Sequence, residues 1–245
     1  MPIIYLSPST QEYNLYVTGG TEEYYMNLIA DAMVPYLRSS GIQYVRNTPD
    51  MTAASSIRAS NAGNFDLHLA IHSNASPESL AGQLQGSDIY YYPSSWQGKR
   101  VAEIIAQNIK AIYPTPSLVR ALPTTALGEV SKTYAPSAFI EIAYHDNIDD
   151  ATWIINNIDD IARVIVLSLT EYFDIPFVTP QPPRQGTVTI RSGYLNIRSK
   201  PNTYSAVIGK AYNGQPITVL GEWQGWYVVD YNGIVGYAKA DYIEV

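Results

Sequence analysis

The sequence contains no cysteine and only three histidines among its 245 residues. The absence of cysteine excludes disulfides, thiolate metal sites, a cysteine nucleophile and iron–sulfur chemistry. With so few histidines, any metal site must be completed by carboxylate or amide oxygens. Charged residues make up 15% and apolar residues 46% of the chain. This composition excludes disorder as the main state, and the chain is long enough to form a core without covalent crosslinks.

The sequence also lacks the segments that anchor or target a protein. No run approaches the ~18 apolar residues that indicate a membrane span. Residues 1–10 have neither a basic start nor a long apolar stretch, so they are not typical of a signal peptide. We therefore predict no membrane span, and the sequence does not indicate the export route.

Charge is distributed unevenly along the chain. Residues 1–175 carry 9 basic and 18 acidic side chains, whereas residues 176–245 carry 6 basic and 4 acidic ones. The acidic larger part lacks the basic surface that nucleic-acid binding requires, so we expect no nucleic-acid partner. The asymmetry predicts two bodies with different partners.

A proline-rich stretch separates these two parts. Four of the twelve residues between 175 and 186 are proline, which is typical of a short, semi-rigid linker. We therefore predict a domain at 1–175, a linker at 176–186 and a second domain at 187–245.

The first domain alternates predicted strands with predicted helices. Thr21 is the expected N-cap of the first long helix, which Gly41 ends. This alternation predicts an α/β fold with a mainly parallel, mixed sheet and helices on both faces. The predicted strands are 3–6, 42–45, 65–71, 87–92 and 138–142, and the later helices are 56–62, 98–112 and 149–172.

The second domain consists of short segments that alternate apolar and polar residues. Asn232-Gly233 is typical of a hairpin turn between two of them. About 60 residues of short strands predict a small all-β barrel. The predicted strands are 187–190, 195–198, 206–211, 216–222, 225–231, 233–238 and 242–245.

Ionisable and amide side chains cluster near the predicted carboxyl ends of the strands, where α/β sheets form their sites. Glu141 is the strongest candidate, because it lies within an apolar strand where an unused carboxylate is costly. A zinc hydrolase needs about three protein ligands, an open position and a general base. The side chains expected at this edge are Gln11, Glu22 or Glu23, His72, Glu141 and His145.

Several motifs of the first domain occur together in one known family. They are the opening strand with Ser7-Pro8, Gly20-Thr-Glu-Glu-Tyr-Tyr-Met-Asn27, Arg58 with Asn61, the strand 66–71 running into His72-Ser-Asn-Ala75, and Phe139-Ile-Glu-Ile-Ala-Tyr-His-Asp-Asn147. In these motifs the chain resembles the zinc-dependent N-acetylmuramoyl-L-alanine amidases of the type 3 amidase family.

The resemblance implies a role for individual residues. The family's first-helix zinc ligand is a Glu four residues before an Asn, which corresponds to Glu23 before Asn27. His72 corresponds to a second zinc ligand and Glu141 to the catalytic carboxylate. Asn74 and Arg58 are the residues expected to bind substrate.

One motif departs from the family pattern. The family has a zinc-binding His in an Asp-Pro-Gly-His-Gly loop, whereas residues 7–11 here are Ser-Pro-Ser-Thr-Gln, with Thr10 at the ligand position. Either Gln11 or His145 supplies the third ligand, or two residues and water hold the metal. Imidazole is the better zinc ligand, but Gln11 lies in the corresponding loop. His68 lies too far down its strand and is expected to be structural.

The resemblance implies an enzyme with one Zn²⁺ per chain. It would hydrolyse the amide bond between N-acetylmuramic acid and L-alanine of the peptidoglycan stem peptide. Zinc lowers the pKa of its bound water toward ~7, and Glu141 would take that water's proton. The missing loop His leaves open a catalytically inactive wall-binding or regulatory protein with the same fold. A zinc peptidase acting on the stem peptide is a third hypothesis.

The second domain resembles a bacterial SH3 domain. The resemblance lies in Leu195-Asn-Ile-Arg-Ser-Lys-Pro201, Gly225-Trp-Tyr227 and Val235-Gly-Tyr-Ala238. It implies binding to cell-wall peptide or glycan, with peptidoglycan as both substrate and wall ligand. We therefore expect a monomer acting outside the cell at the wall. Phage lysis, sporulation and autolysis are all compatible with the sequence.

Overall fold

A computed structural model describes all residues, 1–245. The chain divides into two compact units. One contains residues 3–33 and 44–172, and the other contains residues 1–2, 34–43 and 173–245. None of the helices combines the length and the apolar character that a membrane crossing requires.

A six-stranded mixed sheet underlies the first unit, in the order β2-β1-β3-β6-β4-β5. The β1–β3, β3–β6 and β4–β5 pairs are parallel, and β4 runs antiparallel to β6. This confirms the predicted mainly parallel, mixed sheet. The strands are β1 (Ile3–Pro8), β2 (Gln43–Arg46), β3 (Leu67–Asn74), β4 (Ser87–Tyr91), β5 (Val119–Pro123) and β6 (Ser137–Tyr144).

Six helices accompany the sheet. They are α1 (Glu22–Ser39), α2 (Ala53–Ala62), α3 (Trp96–Ile109), α4 (Gly128–Ser131), α5 (Ile148–Asn156) and α6 (Ile158–Phe173). The Thr21 hydroxyl accepts a hydrogen bond from the Tyr24 amide, which confirms Thr21 as the cap of α1. The prediction of a single helix at 149–172 is wrong. Asn157 leaves helical geometry (φ −126°, ψ 23°) and bonds through its side chain to the Trp153 carbonyl, which separates α5 from α6.

The central strands β1, β3 and β6 carry the core of this unit. Ile4, Leu69 and Ile140 are fully buried, as expected for parallel strands that are covered on both faces. Polar side chains are buried within the same layer, among them Ser7, His68 and His72. Such groups require hydrogen-bond partners, so this layer must contain a polar network.

The C-terminal unit contains an all-antiparallel sheet in the order β13-β7-β10-β11-β12-β8-β9. This confirms the predicted all-β, SH3-like body, and Ile197 and Val229 are fully buried in its core. Strand β7 begins at Arg184, inside the stretch predicted as linker. The strands are β7 (Arg184–Val188), β8 (Leu195–Arg198), β9 (Val207–Ala211), β10 (Pro216–Trp223), β11 (Trp226–Tyr231), β12 (Ile234–Lys239) and β13 (Ile243–Glu244).

Candidate active site

Strand register aligns three ionisable residues across the sheet. His72 of β3 pairs with Glu141 of β6, and Glu141 pairs with Asp88 of β4. Residues paired in register project from the same face of a sheet. One imidazole and two carboxylates therefore occupy a single row on one face.

Glu141 is the carboxylate without a partner. Its Oε2 atom is buried and makes no hydrogen bond. The pKa of Glu141 is raised to about 8, mainly by burial; the His72 charge opposes this rise, and the nearby Glu22 and Asp88 charges add to it. A carboxylate whose pKa is close to neutral is suited to taking up and returning a proton.

Asp88, by contrast, is firmly paired. Its two carboxylate oxygens accept hydrogen bonds from Nε and Nη2 of Arg120, both at 2.9 Å. This fork geometry fixes the position of the Asp88 carboxylate beside Glu141. Asp88 was missed by the sequence analysis, although a carboxylate within a predicted strand is the same signal that identified Glu141.

The imidazole of His72 lies between two carboxylates. Its Nδ1 is 2.8 Å from Oε1 of Glu22, and its Nε2 is 3.3 Å from Oε2 of Glu129. The ring also stacks on Phe139, with centroids 4.3 Å apart and planes 15° apart. Burial alone lowers the pKa of His72, but the hydrogen bonds to Glu129 and Glu22 outweigh it and raise the pKa to about 10.

The carboxylate that faces His72 belongs to Glu22. Asn14 Nδ2 donates to its Oε2 at 2.6 Å, and the Ser73 amide donates to its Oε1 at 3.3 Å. The Glu23 carboxylate instead lies 3.4 Å from Nδ2 of Asn27. Glu22, and not the expected ligand Glu23, therefore lies at His72, because neighbouring helical residues point about 100° apart and α1 turns Glu22 inward.

Of the two candidates for a third donor, Gln11 lies at His72. Its Nε2 is 3.3 Å from His72 Nδ1, and its Oε1 is 3.2 Å from Nδ2 of Asn14. His145 turns elsewhere: its Nδ1 is 3.0 Å from both the hydroxyl and the carbonyl of Ser73, and its ring stacks on Tyr16. The structure therefore brings Gln11, and not His145, to the Glu22–His72 pair.

The two residues expected to bind substrate occupy different positions. Asn74 ends β3, where its side chain accepts a hydrogen bond from the Ala75 amide and its carbonyl accepts one from the His145 amide. Arg58 is exposed on α2, whose inward residues are Ser56 and Ser60. The structure does not bring Arg58 to the His72 cluster.

Glu129 is the second residue that the sequence analysis missed. It lies in α4, a helix of only four residues, and is buried with 4% exposure. Its Oε1 accepts hydrogen bonds from the Ser7 hydroxyl at 2.5 Å and lies 3.1 Å from His68 Nε2. Nothing local in the sequence predicts that a residue between β5 and β6 reaches His72.

The side chains around His72 must supply the ligands of any metal ion bound at this site. No group of three or more His, Cys, Asp or Glu side chains is arranged to hold one. The Glu22 oxygen, the His72 Nδ1 nitrogen and the Gln11 amide nevertheless meet at one place. If the amide turned so that its oxygen faced His72, at the cost of the hydrogen bond from Asn14 Nδ2, one nitrogen and two oxygens would suit zinc, with weaker binding than a second imidazole would give.

The mixed α/β sheet places an unpaired carboxylate beside a His–Glu pair, an arrangement suited to the proton transfer of a hydrolytic enzyme. Residues 10–171 match the family model described as N-acetylmuramoyl-L-alanine amidase, and residues 193–244 match the bacterial SH3 domain. The first match spans more than half of the chain, which therefore belongs to the N-acetylmuramoyl-L-alanine amidase family. It is a peptidoglycan hydrolase that cleaves the amide bond between N-acetylmuramic acid and L-alanine.

Solved structures share the fold of the first unit. The amidase AmiC2 of Nostoc punctiforme aligns with a TM-score of 0.61 at 16% identity, over 71% of this chain and 97% of that one. An amidase from Clostridium difficile 630 aligns with a TM-score of 0.62 at 17% identity, over 71% and 97%. The catalytic domain of the CD27L endolysin, which targets the same species, gives 0.57 at 20% identity, over 70% and 97%. No curated protein matches the sequence.

The raised pKa of Glu141 predicts a pH-dependent stability difference. Between the unfolded-state value of about 4.3 and the folded-state value of about 8, the folded protein holds a proton that the unfolded chain has released. Stability therefore falls as pH rises through this interval. With a metal chelator present, the melting temperature of Glu141→Gln should rise relative to that of the wild type as the pH increases from 5 to 8. The expected rise is roughly 2–4 °C for each kcal/mol of stability that the wild type loses.

Glu103→Gln provides the control, since Glu103 is an exposed α3 carboxylate that pairs only with Lys99. Its melting temperature should follow that of the wild type across the same pH range. If the difference in melting temperature between Glu141→Gln and the wild type did not change with pH, the raised pKa of Glu141 would be contradicted.

Proposed function

We propose that Glu141 is the general base of amide hydrolysis and that Glu22, His72 and Gln11 hold one Zn²⁺ beside it. The observation that carries this proposal is the buried, unpaired Oε2 of Glu141 one strand away from the His72–Glu22 pair. When bound, zinc supplies polarisation of the scissile carbonyl and a water of lowered pKa. In this set the first-helix ligand is Glu22, instead of the Glu23 that the family resemblance implied.

Glu141 moves the proton. In the ionised form its Oε2 takes the proton of the attacking water, and the protonated carboxyl then gives that proton to the departing amine of L-alanine. The register of β3 and β6 fixes this carboxylate beside His72, so no loop has to move to assemble the two. Asp88, held by Arg120, raises the pKa of Glu141 and so favours uptake of the water proton by Glu141.

Gln11 completes the donor set at the position nearest to His72. Asn14 holds one Glu22 oxygen, which leaves the other directed at His72. The Gln11 amide would present an oxygen there after half a turn about its terminal bond, which exchanges the hydrogen bond from Asn14 Nδ2 for the contact with the metal. His145 is 5% exposed and bonded to Ser73, so it supports the rim of the site rather than the metal.

The SH3-like unit is proposed to bind the cell wall. A groove of about 810 Å³ opens on this unit, and Lys239 Nζ lies over the Trp226 ring on its lining, 4.6 Å from the ring centroid. Arg191, Arg198 and the half-exposed Tyr194 also line it. Basic groups beside aromatic faces suit a wall peptide or glycan that carries carboxylates.

We propose a monomeric wall enzyme that acts outside the cell. We propose a catalytic domain at 1–175, a linker at 176–186 and a wall-binding domain at 187–245. Strand β7 extends the last of these back to Arg184.

Replacing the base tests the mechanism. Glu141→Gln should keep the fold and the bound zinc but lower the rate of stem-peptide release from peptidoglycan by about 10²–10⁴-fold, because it cannot accept a proton. Release is measured from the new amino-terminal L-alanine, and zinc by elemental analysis. Glu103→Gln is the matched control. Near-normal turnover by Glu141→Gln would show that Glu141 is not the general base.

Replacing each candidate ligand tests the donor set. Gln11→Ala should weaken zinc binding and Gln11→His should strengthen it, each by about tenfold or ~1.4 kcal/mol, because imidazole is the better zinc ligand. His145→Ala should leave the zinc dissociation constant unchanged. Competition against a zinc chelator measures all three. If His145→Ala lost zinc and Gln11→Ala kept it, the third ligand would be His145 and not Gln11.

Replacing a groove side chain tests wall binding by the full chain. Tyr194→Ala should reduce the bound fraction in pelleting with insoluble peptidoglycan by several-fold, since an exposed aromatic contact is worth about 1 kcal/mol or more. Tyr204→Ala is the control, because Tyr204 is 97% exposed and does not line the groove. Equal pelleting of both variants and the wild type would show that the groove is not the wall contact.

A further inference from the structure

The polar contacts of His72 continue away from the proposed metal position. Behind the ring, Nε2 faces Oε2 of Glu129 at 3.3 Å, on the side opposite Glu22. Phe139 stacks on the ring and fixes its plane. The two ring nitrogens therefore have separate and defined partners.

The chemistry of imidazole makes these two contacts interdependent. A neutral imidazole carries one proton, so a metal on Nδ1 requires that proton on Nε2. An acceptor at Nε2 stabilises this tautomer and makes Nδ1 more basic, as carboxylates do behind many metal-binding histidines. The acceptor at Nε2 here is Glu129.

The Glu129 carboxylate is held so that it can serve in this way. Its other oxygen, Oε1, accepts from the Ser7 hydroxyl at 2.5 Å and lies 3.1 Å from His68 Nε2, while His68 Nδ1 contacts the Ser60 hydroxyl at 2.9 Å. The partners of Glu129 come from β1 and β3, and α2 holds His68 in turn through Ser60, so the carboxylate has no free rotation. No Lys or Arg pairs with it. A buried carboxylate is costly unless its partners satisfy it, and here the two histidines and Ser7 do so.

From this geometry we propose that Glu129 is a positioning residue that holds His72 in the Nε2-protonated tautomer and thereby sets the zinc affinity of the site. The proposal rests on the proposed function, in which His72 binds zinc through Nδ1. Glu129 touches neither metal nor substrate and acts only through His72. A purely structural role in the core is the alternative that the experiment must separate.

The first measurement is zinc affinity of the full chain by chelator competition. Glu129→Gln should bind zinc about 10–100-fold more weakly than the wild type, the usual loss when the carboxylate behind a metal-binding His is removed. Glu129→Asp, which restores the carboxylate, should recover part of the loss. Asp150→Asn is the control, because Asp150 is also a buried carboxylate but bonds to Tyr113 and to the Tyr144 and Gly86 amides. Its folded fraction should bind zinc as the wild type does.

The second measurement uses only the wild type, so it does not depend on a variant that folds. Nitrogen-15 NMR of the zinc-loaded protein should show His72 protonated at Nε2 and bound to metal through Nδ1. A proton on Nδ1 with metal on Nε2 would overturn the proposal. Equal zinc affinity of Glu129→Gln and the wild type would overturn it while leaving the zinc site intact. A wild-type chain that binds no zinc would overturn both the zinc site and the role of Glu129.

Discussion

The site depends on one imidazole held between two carboxylates. Glu22 from the start of α1 and Glu129 from α4 meet the two nitrogens of His72, and β-sheet register sets Glu141 beside the same ring. Each contact joins segments that are far apart in sequence, so the site exists only when the whole sheet is assembled. Ser7, His68 and His72, which are buried in β1 and β3, find partners in Glu129 and Glu22, whereas Oε2 of Glu141 in β6 stays unpaired. Stability of the core and geometry of the site therefore share one set of hydrogen bonds.

The carboxylates around His72 differ because their partners differ. Burial alone raises the pKa of Glu129, but hydrogen bonds from His68 and His72 outweigh it and hold the pKa at about 2. Glu141 lies one strand away and has no partner, so burial dominates and its pKa rises to about 8. One carboxylate is thereby kept charged beside His72, and the other is left able to exchange a proton. Separation of pKa values by environment is how neighbouring acids take different roles.

The fold of the first unit could be predicted from apolar runs and caps, because long periodic segments carry their own signal. Strand β5 and helix α4 could not, since both are short and depend on tertiary contacts. Glu141 was predictable from a carboxylate in an apolar strand. The choice between Glu22 and Glu23 was not, because it depends on how α1 is rotated against the sheet. The reach of Glu129 to His72 is a long-range contact that no local pattern contains.

The most direct test of the account is X-ray absorption spectroscopy at the zinc edge on the zinc-loaded full chain. The scattering pattern of imidazole is distinct from that of carboxylate and amide oxygens, so the spectrum counts histidine ligands. Coordination by Glu22, His72 and Gln11 predicts one imidazole, with all other ligands being oxygen. Two imidazoles would contradict the account, because the second would have to come from His145 or His68, which the structure bonds to Ser73 and Glu129 instead.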